Sequence, residues 1–390
     1  MHRLNHKMLL AILALFAMAL LLSACDTSSS SSSSTSSTSS TSSTSGSGGC
    51  NTSSSSSSSS TSTTSSSTSS TSSSSTSSSS GSASADVIVA KDGSGNYTTV
   101  QAAINAAPSN RTTWYAIYIK NGTYREVVTV PSSKPYLRLL GQSATGTILT
   151  YNNYASGVGS TSGSASAFFQ AKNFIAKNIT FENSFDYPNS SAANKQAVAA
   201  EPQADRQVFV NCRFTGYQDT LYVKNSGRNY FKNCFIQGHT DFIFGEATAV
   251  FNQCEINSRQ KNGGCISAPS TAASTTYGLI FLDCDVTATG TSTGVWLGRP
   301  WHPSSSSSVK SMAVYLYCDL GSHIATNGWT SMSGVSPTTE RMYEYKNTGA
   351  GAVVNSSRPQ LSASQAANYT VSNILKGSDN WDPEAWANME

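Results

Sequence analysis

The sequence predicts an all-β fold, a parallel β-helix closed by a short N-terminal capping helix and ending in a C-terminal extension. Two observations carry that expectation. Five segments, QVFVNCRF, NYFKNCFI, AVFNQCEI, LIFLDCDV and AVYLYCDL, set cysteines at 212, 234, 254, 284 and 318, and IAKNITF sets Ile179 at the same point. The steps between these positions, 33, 22, 20, 30 and 34, describe one repeated unit with insertions of varying length, as stacked coils require. Within each segment alternate residues share a character, as in Val208, Val210, Cys212 and Phe214, and period two means strand. The other face opens with an aromatic, Phe209, Phe231, Phe251, Phe281 or Tyr315, followed two residues on by Asn211, Asn233, Gln253, Asp283 or Tyr317, positions suited to ladders. A β-sandwich explains the alternation but gives no reason for the same residue types to return at the same strand position.

Taken from the N-terminus, residues 1–25 have the anatomy of an export signal: Arg3 and Lys7, a short apolar run, then small residues before Cys25. The run Leu22, Ser23, Ala24, Cys25 resembles the lipobox of bacterial lipoproteins, which implies a lipid anchor on Cys25 and an outer-membrane location, at the cell surface or the periplasmic face. Residues 26–85 are almost wholly Ser, Thr and Gly. They lack the apolar surface that offsets the entropy of folding. This predicts a disordered tether with a root-mean-square reach of about 40 Å; Cys50 within it has no assigned role. Residues 86–390 form the folded domain. DGSGNYTTVQAAINAAP places Val100, Ala103, Ile104 and Ala107 on one helical face, stopped by Pro108, which suits a cap over the end of a β-helix. YAIYIKNGTYREVVTV then reads as strands around a turn at Asn121-Gly122.

Composition excludes some functions. Beyond residue 85 the chain carries 22 basic and 20 acidic residues (24 − 2 and 21 − 1), without the basic stripe that nucleic-acid binding needs. His239, His302 and His323 show no ligand spacing, so neither a metal nor another cofactor is expected. The inward cysteines sit on rungs about 4.8 Å apart, within the reach of a disulfide. Five in a row cannot all pair with a neighbour, so most read as small buried hydrophobes.

Asp219 and Asp241 each lie seven residues after a ladder cysteine, Cys212 and Cys234. If those cysteines stack, the two acids stack as well. Carboxylates roughly 5 Å apart do not both ionise easily, which yields an anion and an acid in one cleft. Gln218 and Arg299 stand close to the same motifs, as do Tyr217, Tyr222, Phe242, Phe244 and Trp301, whose rings suit sugar faces. A carboxylate pair at this separation would equally serve a retaining glycosidase.

GTYREVV, QAVA, GYQDTLY, DFIFG and LGRPW, in that order, resemble the signature segments of the pectin methylesterases, carbohydrate esterases built on a right-handed parallel β-helix. The likeness runs from Ala90 to Pro383. It implies that Asp241 is the nucleophile, Asp219 the general acid and base, and Arg299 the group that keeps the nucleophile ionised and oriented. It further implies that Gln196 and Gln218 stabilise the oxyanion, and that Tyr222, Phe244 and Trp301 line the sugar cleft. Cys234 and Cys254 match positions bridged in some relatives. The expected activity is hydrolysis of galacturonate methyl esters in pectin (homogalacturonan) with release of methanol, by a monomer. The sequence departs from the family at His239-Thr240, ahead of DFIFG, and at Gln142. Alternatives are a non-catalytic polysaccharide-binding lipoprotein of the same fold and an esterase or thioesterase on another substrate. A serine hydrolase is disfavoured: the G-x-S-x-G match at Gly290–Gly294 falls in a Ser/Thr/Gly loop rather than a strand-to-helix elbow.

Overall fold

The computed structural model describes residues 85–390. The expected export signal with Cys25, and the tether with Cys50 up to residue 84, lie outside the described residues. Three parallel sheets of ten, eight and seven strands, here sheets A, B and C, are each assembled from strands of successive coils. One coil contributes Gln207–Val210 to sheet A, Arg213–Thr215 to sheet B and Leu221–Val223 to sheet C. The next contributes Arg228–Lys232, Phe235–Gly238 and Thr240–Gly245. Phe209 pairs with Phe231, Phe214 with Ile236 and Leu221 with Ile243, a constant step of 22 residues. This is a parallel β-helix.

The corner between sheets A and B overturns part of the sequence reading. Asn178, Asn211, Asn233, Gln253, Asp283 and Tyr317 all adopt a left-handed backbone, with φ between 50° and 58°. Asn and Asp tolerate that region better than most residues. The expected ladder of these residues is therefore a row of corner turns, exposed from Asn211 onward. Each corner also shifts the alternation by one place. Phe209, Phe231, Phe251, Phe281 and Tyr315 share the interior with the cysteines, whereas Val208, Val250, Ile280 and Val314 face outward. Period two holds inside a strand and fails across the turn.

Inside, the aromatic column stacks at centroid distances of 4.9, 4.7, 4.8 and 4.2 Å from Phe209 to Tyr315. That spacing follows the separation of neighbouring strands. Cys234, Cys254, Cys284 and Cys318 each donate a weak S–H bond, at 3.3–3.6 Å, to the carbonyl of Phe209, Phe231, Phe251 and Phe281 on the preceding coil. The disulfide expected between Cys234 and Cys254 is absent: both are free thiols. They are translated copies of one another, each sulfur directed at a carbonyl of the coil before it rather than at the other sulfur.

Helix α1, Val100–Ala106, covers one end as expected, burying Val100, Ala103 and Ile104. Thr99 caps it, and the Glu126 carboxylate accepts from the free N–H groups of Val100 and Gln101 at 2.8 and 2.9 Å, an arrangement the helix dipole favours. The strands on either side of Asn121-Gly122, Tyr115–Ile119 and Gly122–Arg125, exist but belong to sheets A and B. Each pairs with the following coil, not with the other.

The C-terminal extension folds into short helices, among them Val371–Leu375 and Pro383–Ala387. They bury the outer face of sheet A, with Ile374, Leu375 and Trp381 against Val208, Tyr230 and Val250. Arg228 fastens this extension by binding Asp205 at 2.7 Å and Asp379 at 2.6 Å. The outer face of sheet C is left for chemistry.

Alkylation of the unfolded chain without reductant, followed by peptide mapping, is expected to label all six described cysteines, Cys212, Cys234, Cys254, Cys265, Cys284 and Cys318. Protection of Cys234 and Cys254 until reductant is added would restore the bridge.

Candidate active site

The bridge between Gln218 and Thr240 and the pairing of Leu221 with Ile243 place Asp219 and Asp241 side by side on adjacent strands of sheet C. Asp219 N–H donates to the Thr240 carbonyl at 3.0 Å. Neighbouring strands lie about 4.8 Å apart, so the two carboxyls occupy one site.

Local backbone geometry aims them outward. Asp219 and Asp241 both have left-handed φ, 62° and 48°, a strained state for non-glycine residues. Thr240 pairs with Cys265 and Ile243 with Ser267, so two residues, Asp241 and Phe242, oppose the single residue Ile266 on the next strand. The extra residue is a β-bulge, a device that re-aims a side chain. Here it lets Phe242 and Ile243 both enter the core, fully buried, while Asp241 faces the cleft. Gly238 permits the turn, because a Cβ there would lie 2.2 Å from Phe242 Cβ and 2.6 Å from the Tyr217 carbonyl oxygen.

Arg299 follows the strand Trp296–Gly298, two strands along sheet C from Asp241. Its side chain crosses the intervening strand and grips Asp241 with both arms, Nε to Oδ1 at 2.8 Å and Nη2 to Oδ2 at 2.5 Å. Such a fork fixes a carboxylate in charge and orientation. Burial lowers the tendency of Arg299 to stay charged, but its bonds to Asp241 outweigh that and raise its pKa. Asp219 has no such partner. Burial pushes its carboxyl well above the usual range, the Asp241 charge adds to this, and Arg299 opposes it in part. The site therefore pairs a carboxylate held by a guanidinium with a carboxyl that retains its proton.

Gln196 and Gln218 lie on adjacent coils, ahead of the strands Ala200–Pro202 and Leu221–Val223, linked through the bond from Ala197 N–H to the Gln218 carbonyl at 3.1 Å. The Gln196 Oε1 is buried without a hydrogen-bond partner, so this amide end is unengaged. Tyr222 and Phe244 stack at 4.3 Å, and Trp301 meets them at 6.2 and 5.8 Å. Asp219, Asp241 and Arg299 thus meet in one site, with Tyr222, Phe244 and Trp301 packed together farther along the same strands. Ser292 of the G-x-S-x-G match is a buried loop serine bonded to the Arg259 carbonyl and the Lys261 N–H.

Sequence reasoning missed Cys265. It belongs to sheet C rather than to the cysteine row, pairs with Thr240 and is 3% exposed. Burial, and then the neighbouring Asp241 charge, keep its thiol well above its ordinary pKa. It had no spacing signal because it stands in a strand of sheet C, whereas the other described cysteines recur between sheets A and B. Lys261 was missed as well: its ammonium donates to Thr240 Oγ1 at 3.0 Å, next to Asp241.

Residues 86–378 match the family model described as Pectinesterase. The chain is 39% identical to Pectinesterase 31 of Arabidopsis thaliana over 279 residues, covering 68% of this chain and 83% of that protein. It spans little more than half, 53–61%, of several longer Arabidopsis thaliana relatives. Among solved structures it is similar to the pectin methylesterase PemA from Erwinia chrysanthemi, at 32% identity and a TM-score of 0.70, covering 77% of this chain and 99% of that one. A pectin methylesterase in complex with hexasaccharide VII matches at 32% identity and a TM-score of 0.69, with the same coverage.

The raised pKa of Asp219 has a consequence for stability. The native state keeps this proton at pH values where the unfolded chain, titrating near 3.8, has lost it. Stability therefore falls as pH rises from the unfolded value through the native one. Asp219→Asn removes the ionisable group and is expected to raise the urea midpoint at pH 7, with the advantage vanishing near about pH 3. A midpoint at pH 7 equal to or below that of the wild type would contradict this account of Asp219.

Proposed function

Because the chain belongs to the pectinesterase family, we propose that it is a carboxylic ester hydrolase that removes methyl groups from galacturonate units of pectin. The observation that carries the mechanism is the two-armed Arg299–Asp241 pair beside the buried, proton-retaining Asp219. Asp241, anionic and oriented, attacks the ester carbonyl carbon. The resulting oxyanion is met by the side-chain amides of Gln196 and Gln218, neutral donors of the kind that stabilise such charge. Collapse of the tetrahedral species breaks the bond to the methoxy oxygen, which takes the proton of Asp219 and leaves as methanol. An acyl-enzyme on Asp241 remains. Asp219, now a base, takes a proton from water as that water attacks the acyl carbon. This breaks the acyl bond to Asp241, restores its carboxylate, reprotonates Asp219 and frees the galacturonic acid, which then loses its proton to solvent.

The ring faces of Tyr222, Phe244 and Trp301 supply an apolar floor for sugar units. A related pectin methylesterase is known with a hexasaccharide bound, which supports a polysaccharide occupant for this groove. The proposal extends to the N-terminus, where the sequence around Cys25 supports a lipid anchor in a bacterial outer membrane, with the Ser/Thr tether spacing the enzyme from it.

Methanol release from highly methylated pectin tests this reading. The wild-type chain is expected to release it, Asp241→Asn to be slower by at least about 10³-fold, and Gln218→Ala to lose about 10²-fold in kcat with little change in KM. Absence of methanol with the wild type would overturn the function; full activity in Asp241→Asn would remove that residue from the mechanism.

A further inference from the structure

Sheet A is sealed on its outside by the C-terminal helices and sheet C carries the two acids, while the C-terminal end of sheet B holds an open groove of about 840 Å³. Its floor is a row of carboxylates. Glu255, Asp285 and Asp319 stand at the same place in the strands Glu255–Ser258, Asp285–Ala288 and Asp319–Leu320, paired coil to coil. All three are exposed, and none forms an ion pair among the described residues. The nearest cation along the row, Arg213, lies two strands before Glu255 and rests 3.9 Å over the Phe235 ring.

Two loops wall the groove. Residues 290–293, which include Ser292 of the G-x-S-x-G match, are pinned through that serine to the Arg259 carbonyl and the Lys261 N–H. His323 lines the same groove at 6% exposure, and its Nε2 is buried without a hydrogen-bond partner. Burial holds its pKa below the ordinary value, so the ring is neutral at pH 7 and adds no positive charge to offset the acids. Uncompensated carboxylates beside an unsatisfied imidazole favour a cationic occupant with N–H groups to donate.

Spacing decides among cations. No three His, Cys, Asp or Glu side chains among the described residues converge to hold a metal ion, so the charges form a line and not a cage. The line has a pitch of about 4.8 Å, the separation of neighbouring strands. Ammonium nitrogens joined by three methylenes stand about 5 Å apart when the chain is extended, given single bonds of about 1.5 Å. Side chains on one face of an extended peptide recur only about every 6.7 Å, out of step with the row.

We propose that this groove on sheet B binds a linear aliphatic polyamine, one ammonium to each of Glu255, Asp285 and Asp319, against the wall that carries His323. The site is separate from the acids of sheet C and does not depend on the pectin reading.

Calorimetric titration of the whole chain with norspermidine, a triamine with trimethylene spacers, tests it at low ionic strength and without pectin, whose own carboxylates would compete for the amine. One triamine is expected to bind per chain. The triple variant Glu255→Gln, Asp285→Asn and Asp319→Asn is expected to bind about tenfold more weakly, the scale of three exposed charge pairs together. Asp285→Asn alone, expected to lose about threefold, gives the same reading if the triple variant does not fold. His323→Phe, which removes the ring nitrogens and leaves the charge of the groove unchanged, is expected to lose about threefold as well. Bis(hexamethylene)triamine and N-acetyl-trilysine amide carry the same charge at other spacings, and each is expected to bind at least about threefold more weakly than norspermidine. Absence of binding by the wild type, equal affinity for the three cations, or an affinity unchanged by the acid substitutions or by His323→Phe would overturn the proposal and leave the esterase reading untouched.

Discussion

Registration of each coil on the one before it is the constraint from which the rest of the structure follows. A left-handed residue at six successive A–B corners, from Asn178 to Tyr317, returns the chain to the same phase, an aromatic side chain stacks on its counterpart, and a cysteine thiol points to the carbonyl one coil back. The contacts are individually small. Repeated over consecutive coils, they make any slip costly, because one residue of displacement would exchange the interior and exterior sets. That rigidity is what makes Asp219 and Asp241, 22 residues apart, neighbours on successive coils.

The site spends some of the stability so gained. Two carboxyl groups lie within one tenth of full exposure, Asp219 at 9% and Asp241 at 6%. Both backbones are left-handed and one strand is bulged. Arg299 answers only one of the two charges, and the other group responds by keeping its proton. Asymmetry of this kind separates chemically identical side chains: the environment, not the residue type, leaves one paired with a guanidinium and the other protonated. The right-handed parallel β-helix shared with the solved pectin methylesterases supplies the rigid backing that such strained groups require.

Charge is also distributed with purpose around the molecule. The C-terminal helices and the Asp205–Arg228–Asp379 cluster seal the outer face of sheet A. Sheet C stays open and presents the packed rings of Tyr222, Phe244 and Trp301 beside the acids.

The sequence by itself determined the repeat, the parallel coils, the capping helix, the register of Asp219 with Asp241 and the motifs carrying Gln196, Gln218, Arg299, Tyr222, Phe244 and Trp301. The repeat, the coils, the cap and the register of the acids were legible from periodicity and spacing along the chain, and the motifs from their resemblance to the signature segments of a known family. Only the tertiary structure decided that Phe209 and Cys212 face the same interior, since a single left-handed corner residue changes the phase and leaves the strand pattern intact. It likewise decided that Cys234 and Cys254 remain thiols, that a bulge turns Asp241 outward, and that Arg299, Cys265 and Lys261 converge on it from 20 to 58 positions away. Those outcomes depend on side-chain direction and on contacts between coils, and both are fixed by packing in three dimensions rather than by the order of residues in any one segment.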